Sequence, residues 1–496
     1  MFAVLAALVV GLLLFASMRN VVLRFMHDDA FYYLGIAWRW QRSGFSTFDG
    51  INPTNGYHPL WQWLLVPFAG LFQSPEMFAR ASAAVGVVFF FAATVLVVRT
   101  LTREENTFAP FAYAWVGGAL LLSMLYGLES PLATLLLAAC IVASPTSPLE
   151  WRWTRVVASA AASILLFLAR IDALAWILAL DTALVAIVSR TQARRMVPGV
   201  VAIILLQLVG IGGYFIANWI TSSHWLTISA TLKASRAPLF SLAVPPSLLF
   251  MLAVGITVLG LVPLAEFSRA AYRRSANVMW ALITAAWLAL GNLVYLGLIA
   301  VKGDHETYNW YFTLSVFSGA YLIPLCVNRY GRRWGGVSQQ IVLKASLAAC
   351  VILLAVSARG KIGPPGFTVA AYDKALALAS YPEDSLVLGA TDCGVLGYFS
   401  HQHVINLDGL TNSWGFIDAL EHQQMAGWLR ARGLNAYVSP PAPEGSVASL
   451  HIRAGLSAPA GILSVRVEPM TPAAATLGPI GVWRITEIDE DAAGSE

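Results

Sequence analysis

At 496 residues the chain is long enough for about three soluble domains, yet residues AVILMFWYC make up 58% of it and DEKR only 12%. An ordinary soluble domain carries roughly 25% charged residues, so there are too few charges here to cover a water-exposed surface. With a mean hydropathy of +0.67, the composition points to a polytopic membrane protein. The formal net charge of +4 is too small and too scattered to suggest nucleic-acid binding, and no nucleic-acid partner is expected.

The first apolar run, Met1 to Met18, has no basic residue ahead of it and is followed by many more, so it reads as a retained first helix and not a cleavable signal. A spanning helix needs about 20 mostly apolar residues. Eleven runs qualify in chain order, near 2 to 23, 77 to 98, 109 to 126, 129 to 143, 155 to 169, 172 to 189, 197 to 217, 246 to 266, 276 to 300, 310 to 327 and 340 to 357. The run Leu60 to Leu71 is shorter, begins after Pro59 and carries Trp61 and Trp63, which fits an interfacial or re-entrant segment.

Arginine placement orients this body, because cytoplasmic loops carry the Lys/Arg excess. With Leu60 to Leu71 not crossing, alternate loops hold Arg99 and Arg103, Arg152 and Arg155, Arg190, Arg194 and Arg195, Arg269, Arg273 and Arg274, and Arg329, Arg332 and Arg333, thirteen arginines on one face. The expected map puts the N-terminus in the cytoplasm, with the first external loop (about 24 to 76) and everything from about 358 onward outside. The membrane body is therefore drawn as 1–357 and an outer domain as 358–496. Strand-like runs at Ser385 to Ala390, Val404 to Leu407 and Ile462 to Val467, with short amphipathic helices and a proline-rich loop at Ser439 to Gly445, predict a small soluble α/β domain there. Cys140, Cys326 and Cys350 lie in apolar runs and only Cys393 in a polar one, which gives neither a disulfide framework nor a metal cluster.

The first external loop is rich in chemistry: His27, Asp28 and Asp29 follow the first helix, then come Thr47 to Gly50 and Pro53 to Trp61 with Asn55, Tyr57 and His58. A carboxylate at the membrane surface in apolar surroundings can take a raised pKa and act as general base toward a hydroxyl; the alternative is that the acidic pair caps a juxtamembrane helix. Other expected external ends carry Glu129 in Gly127 to Pro131, and Arg170 with Asp172, either a structural salt bridge or a substrate contact. A further loop holds His224, Trp225, Lys233 and Arg236, whose cations suit either a lipid phosphate or snorkelling beside headgroups. A last cluster runs through Lys302, Asp304, His305, Glu306, Asn309, Trp310 and Tyr311. These clusters share the external face. No Walker A loop, dinucleotide GxGxxG or HExxH occurs, which removes the common ATP-driven, redox and zinc-protease classes.

Asp28 and Asp29 after the first helix, ThrPheAspGly at 47 to 50, ProThrAsnGlyTyrHisProLeuTrp at 53 to 61, GlyLeuGluSer at 127 to 130 and ArgIleAsp at 170 to 172 together resemble the GT-C superfamily of integral-membrane glycosyltransferases. Within it the chain is similar to the mycobacterial-type terminal arabinofuranosyltransferases, a grouping supported by AspCysGlyValLeuGlyTyrPheSer at 392 to 400 and AsnLeuAspGlyLeuThrAsn at 406 to 412. The resemblance implies an α-helical polytopic GT-C-like fold of about 11 transmembrane helices in a bacterial plasma membrane. The implied activity is inverting transfer of a sugar, arabinofuranose first among the candidates, from a polyprenyl-phosphate donor to a cell-envelope glycan or glycolipid acceptor. Asp29 or Asp28 would be the base, with Lys233, Arg170 and Arg236 on the donor phosphate. His58, Asn55, Tyr57, Glu129, His224, His305 and Trp310 are candidates for sugar or acceptor contacts. No cofactor and no obligatory metal is expected, and Asp392 and Asp408 are read as turn residues. The rival class is a lipid-linked-sugar transporter or a non-catalytic lipid-binding membrane protein.

Overall fold

The computed structural model describes residues 2–103, 127–144, 152–191, 196–234, 252–258, 276–302, 309–319, 321–322, 366–439, 447–452, 461–469 and 481–488. The first helix, α1 (Phe2–Phe15), is built almost wholly of aliphatic residues; a π-helical turn, Met18–Val22, and the short α2 (Leu23–Phe25) follow it. The run expected over 2 to 23 is thus interrupted before its end. Next comes α3 (Asp28–Ser43), a helix the sequence reading left inside the external loop. Its first turn carries Asp28 and Asp29, where the helix dipole favours negative charge.

The helix α4 (Pro59–Ala69) opens on proline and has 11 residues, about 16 Å at 1.5 Å per residue against a hydrocarbon core of about 30 Å. It cannot cross, as expected for an interfacial segment. The body continues with α5 (Pro75–Arg103), α6 (Ser130–Ala143), α7 (Trp153–Ala169), α8 (Leu174–Thr191, after a 3-10 turn at Ile171–Ala173), α9 (Val197–Ser222), α10 (Ile228–Ala234) and α11 (Ala276–Lys302). Three stretches among the described residues are long and apolar enough to span: Pro75–Thr100, Val197–Ser222 and Ile283–Ala300. Only 17% of the α9 stretch is buried by protein, so its apolar surface needs another apolar solvent, as lipid would supply. The expected runs at 129 to 143 and 155 to 169 are apolar helices of 14 and 17 residues. Those at 109 to 126 and 340 to 357 lie outside the described residues, and those at 246 to 266 and 310 to 327 are described only in part.

The chain divides into two compact units, one of Met1–Gly11, Ala84–Ala217 and Leu239–Ile362, the other of Leu12–Ala83, Asn218–Pro238 and Gly363–Glu496. In the first, α6 packs on α7 and α8 on α11; Trp176 and Trp287 are fully buried there, and the Trp287 indole N–H donates to the Trp176 carbonyl at 2.6 Å.

The second unit joins the segment after the first helix to the C-terminal segment. The C-terminal segment supplies α12 (Phe367–Leu378), β1 (Val387–Ala390), α13 (Gly394–Phe399), β2 (His403–Asn406), α14 (Trp414–Glu421), α15 (Met425–Ala431), β3 (Ala436–Ser439), β4 (Val447–Ile452), β5 (Gly461–Pro469) and β6 (Gly481–Ile488). The strands form one sheet in the order β2-β1-β3-β6-β5-β4. The pairs of β1 with β2 and β3 are parallel and the rest antiparallel. Its core gathers Ile405, Leu407, Phe416, Leu429, Leu450 and Val465, and α10 adds Ile228 and Leu232. The helix α3 packs against α4 and α13, so the C-terminal segment and the segment after the first helix bury apolar surface together.

Candidate active site

The start of α3 is where the chemistry-bearing residues of the loop meet the sheet. His27 is its N-cap, and its Nδ1 accepts the Asp29 backbone N–H at 3.2 Å. Asp28 turns into protein: it is 5% exposed, its Oδ2 accepts from Gly394 N at 2.8 Å and its Oδ1 from Val395 N at 2.8 Å. Both donors lie in the first turn of α13, where backbone N–H groups have no helical acceptor. Glycine is required at 394, since a Cβ there would stand 2.1 Å from the Asp28 carbonyl oxygen. One turn along α3 the Tyr32 hydroxyl accepts from Cys393 N and Asn406 Nδ2, both at 2.9 Å. Asp392 N donates to Asp408 Oδ2 at 2.7 Å, so these two acidic residues close the turns after β1 and β2. Burial pushes the Asp28 carboxyl up to about 7, outweighing the two N–H bonds, and drives the Tyr32 hydroxyl and Cys393 thiol up as well.

Asp29 differs from its neighbour. Its side chain is 39% exposed, and its Oδ1 lies 3.6 Å from His27 Nδ1. Burial works against charge on His27, but Asp29, with smaller help from Asp28 and Asp392, outweighs it, so the imidazole is held above its ordinary value. Of the acidic pair, Asp28 clamps α3 to α13, whereas the Asp29 side chain stays partly exposed to solvent.

The rest of the loop is mainly scaffold. Asp49 accepts from Ile51 N at 2.8 Å, Asn52 N at 2.7 Å and Asn52 Nδ2 at 2.6 Å, closing the ThrPheAspGly turn on itself, and Asn52 Oδ1 accepts from Arg432 Nε at 2.5 Å. Asn55, expected at a sugar, has its Oδ1 on Ile228 N at 3.1 Å and its Nδ2 toward Asn218 Oδ1 at 3.4 Å, which ties the loop to the start of α10. That helix carries Lys233. Tyr57 accepts from Ser46 Oγ at 3.1 Å, and His58, the residue before α4, donates its backbone N–H to Tyr33 Oη at 3.3 Å. His224 lies flat on Trp414, centroids 3.4 Å apart and 3° between planes. Asp28, Asp29, Asn55, Tyr57, His58, His224 and Lys233 therefore share one unit.

Glu129, Arg170 and Trp310 gather in the other unit. Arg170 is 2% exposed and forks onto Asp172 at 2.9 and 2.7 Å, with its Nη1 reaching Ser130 Oγ at 3.2 Å, the Trp310 carbonyl at 3.0 Å and Glu129 Oε1 at 3.4 Å. Tyr295 Oη donates to Asp172 Oδ2 at 3.1 Å. Arg170 thus holds helix ends together and forms a salt bridge with Asp172. Arg236 and His305 lie outside the described residues. Among the described residues no three His, Cys, Asp or Glu side chains converge as metal ligands would.

Sequence reasoning missed Gly394 and Val395, whose N–H groups hold Asp28, and the Tyr32–Asn406 hydrogen bond beside them. The available signal was a strand running directly into AspCysGly: a glycine opening a helix after a strand admits an anion to bare N–H groups.

The described residues form apolar helices and one six-stranded mixed sheet, and two solved structures share this fold. The chain is similar to the crystal structure of ArnT from Cupriavidus metallidurans bound to undecaprenyl phosphate, at TM-score 0.55 and 13% identity, over 100% of this chain and 99% of that one. It is also similar to ArnT from Cupriavidus metallidurans in the apo state, at TM-score 0.51 and 15% identity, over 100% and 98%. At these identities the shared property is the fold. No protein family and no curated protein matches the sequence.

Proposed function

We propose that the chain is an inverting glycosyltransferase of the bacterial plasma membrane. It would move a sugar, arabinofuranose first among the candidates, from a polyprenyl-phosphate donor to a cell-envelope glycan or glycolipid on the extracytoplasmic face. The observation that carries this is the division of labour in the acidic pair: Asp28 is locked by two backbone N–H groups, while Asp29 beside it keeps a solvent-reached carboxylate next to His27. The fold shared with an ArnT structure that holds undecaprenyl phosphate supports a lipid-phosphate donor.

In the reaction Asp29 takes the proton of the acceptor hydroxyl as its oxygen attacks the anomeric carbon from the face opposite the phosphate. The carbon–oxygen bond to the phosphate breaks, and its electron pair leaves on the phosphate oxygen, so the configuration inverts. Lys233 and Arg236 are assigned to that developing charge, which fixed cations stabilise without reorganisation. Arg170 is left out of this role, because its guanidinium already serves Asp172, Glu129, Ser130 and Trp310.

The test follows radiolabelled sugar from a panel of polyprenyl-phosphate donors to an envelope extract, with purified protein in nanodiscs. Asp29→Asn should lower transfer by about 10²- to 10⁴-fold, the usual worth of a general base, with donor binding retained. Asp28→Asn leaves one backbone N–H without its acceptor and should act through stability. Donor binding without transfer in the wild type, unchanged by Asp29→Asn, would instead identify a lipid-sugar carrier.

A further inference from the structure

The other end of α3 forms one wall of an open cleft of about 290 Å³. Charged side chains of both signs line it, Arg39 and Arg42 from α3 and Glu383 and Asp384 ahead of β1, together with His401 ahead of β2 and His403 at its start. Asp384 Oδ1 lies 3.5 Å from His403 Nε2 and 4.0 Å from Arg39 Nη1, and Arg39 Nη2 donates to the Gln402 carbonyl at 2.7 Å. The Arg42 guanidinium lies over the Trp38 ring, 3.3 Å from its centroid.

The backbone is unusual here too. Five non-glycine residues in the described chain have positive φ, and two of them, Asp384 at 56° and His401 at 55°, line this cleft. They are joined to each other, Asp384 N donating to the His401 carbonyl at 3.1 Å. Such conformations are costly for side-chain-bearing residues and collect at ligand clamps. Gly50 completes the wall: a Cβ there would stand 2.8 Å from Arg39 Nη1 and 3.0 Å from His403 Nδ1, so its bare backbone lets both groups close in.

The mixture of charges selects the ligand. Two guanidinium groups repel a cation, and two carboxylates repel a phosphate or sulfate. Hydroxyl groups both donate and accept, so a neutral polyol satisfies donors and acceptors that alternate over one small surface. The volume sits at the small end of ligand pockets, which run about 300–1,000 Å³, room for one or two sugar rings. We propose that this cleft binds a sugar of the acceptor glycan away from the reacting end. The proposal rests on the glycosyltransferase reading. Arg39 and Arg42 lie about 15–20 Å along α3 from Asp29 at 1.5 Å per residue, so the cleft engages a sugar several units from the hydroxyl that reacts, and selects a chain over a monosaccharide.

The experiment measures binding without donor, using full-length protein in nanodiscs and two fluorescent probes, an arabinofuranosyl hexasaccharide and a mannosyl hexasaccharide. The variants are Ser43→Trp, which fills the cleft with an indole, and Glu383→Gln, which removes a charge from its rim. Each should weaken binding of at least one probe by about tenfold or more, since tenfold needs only about 1.4 kcal/mol. Equal binding by the wild type and both variants overturns the proposal, as does wild type that binds neither probe or releases the probe to millimolar inorganic phosphate. Transfer of label is scored separately. Cleft-dependent binding with no transfer from any donor refutes the transferase reading and leaves the cleft standing; transfer with no cleft-dependent binding does the reverse.

Discussion

Gly394→Ala tests the clamp between α3 and α13 directly. The new methyl group would stand 2.1 Å from the Asp28 carbonyl oxygen and 3.0 Å from Asp28 Oδ2, and the first neighbour is backbone, which cannot rotate away. Relief requires α3 and α13 to separate, which lengthens the 2.8 Å bonds from Gly394 N and Val395 N to the Asp28 carboxylate. Overpacking costs about 1–3 kcal/mol and a hydrogen bond to a charged group about 1.5–3 kcal/mol, so losing even one bond puts the local cost at about 3 kcal/mol or more. Hydrogen exchange reads this region by region. The amides at 394 and 395 should lose about 100-fold or more of their protection, at about 1.4 kcal/mol per tenfold. Gly427→Ala is the control: it lies in α15 with nothing within 4 Å of the added Cβ, and should be neutral or stabilising by about 0.5–1 kcal/mol. Unchanged protection in Gly394→Ala would refute the clamp and with it the division of roles within the acidic pair.

The remaining predictions concern pH, the buried arginine and metal. Asp28 ionises near 3.8 in an unfolded chain but near 7 in the fold, where burial disfavours its charge. Between those values the folded chain keeps a proton that the unfolded chain has released, so this group's contribution to stability is largest below about pH 4 and falls as pH rises to about 7. Thermal unfolding from pH 4 to 8 should show that fall in the wild type and lose it in Asp28→Asn; a slope that persists in the variant would exclude Asp28 as its source. Arg170→Lys replaces a fork by a point donor facing Asp172 and Glu129, and breaking such a buried pair costs about 3–5 kcal/mol. Detergent-solubilised variant should therefore aggregate at markedly lower temperature, while a change confined to the KM for donor would return Arg170 to the phosphate site. Full transfer activity in excess EDTA is expected, because a lipid monophosphate donor needs no bridging cation; activity lost to EDTA and restored by a divalent ion would reverse that expectation.

The membrane body was legible from composition, because aliphatic runs without charges have no stable place in water, and Pro75–Thr100, Val197–Ser222 and Ile283–Ala300 follow such runs closely. Strand patterns were legible too: β1, β2 and β5 fall on the apolar strand-like runs at 385 to 390, 404 to 407 and 462 to 467. The helix α3 was hidden, since its aromatic and basic face reads as interfacial loop until a partner surface buries it. Asp28 and Asp29 likewise look equivalent as neighbours in the chain. Successive helix positions point about 100° apart, so only one of the two could face α13, and which one depends on a glycine 366 residues away. Local pattern determined where apolar segments and acidic groups lie along this chain. The tertiary structure alone decided which carboxylate is buried as a clamp and which is left exposed, because hydrogen bonds and burial depend on neighbours that sequence distance does not reveal.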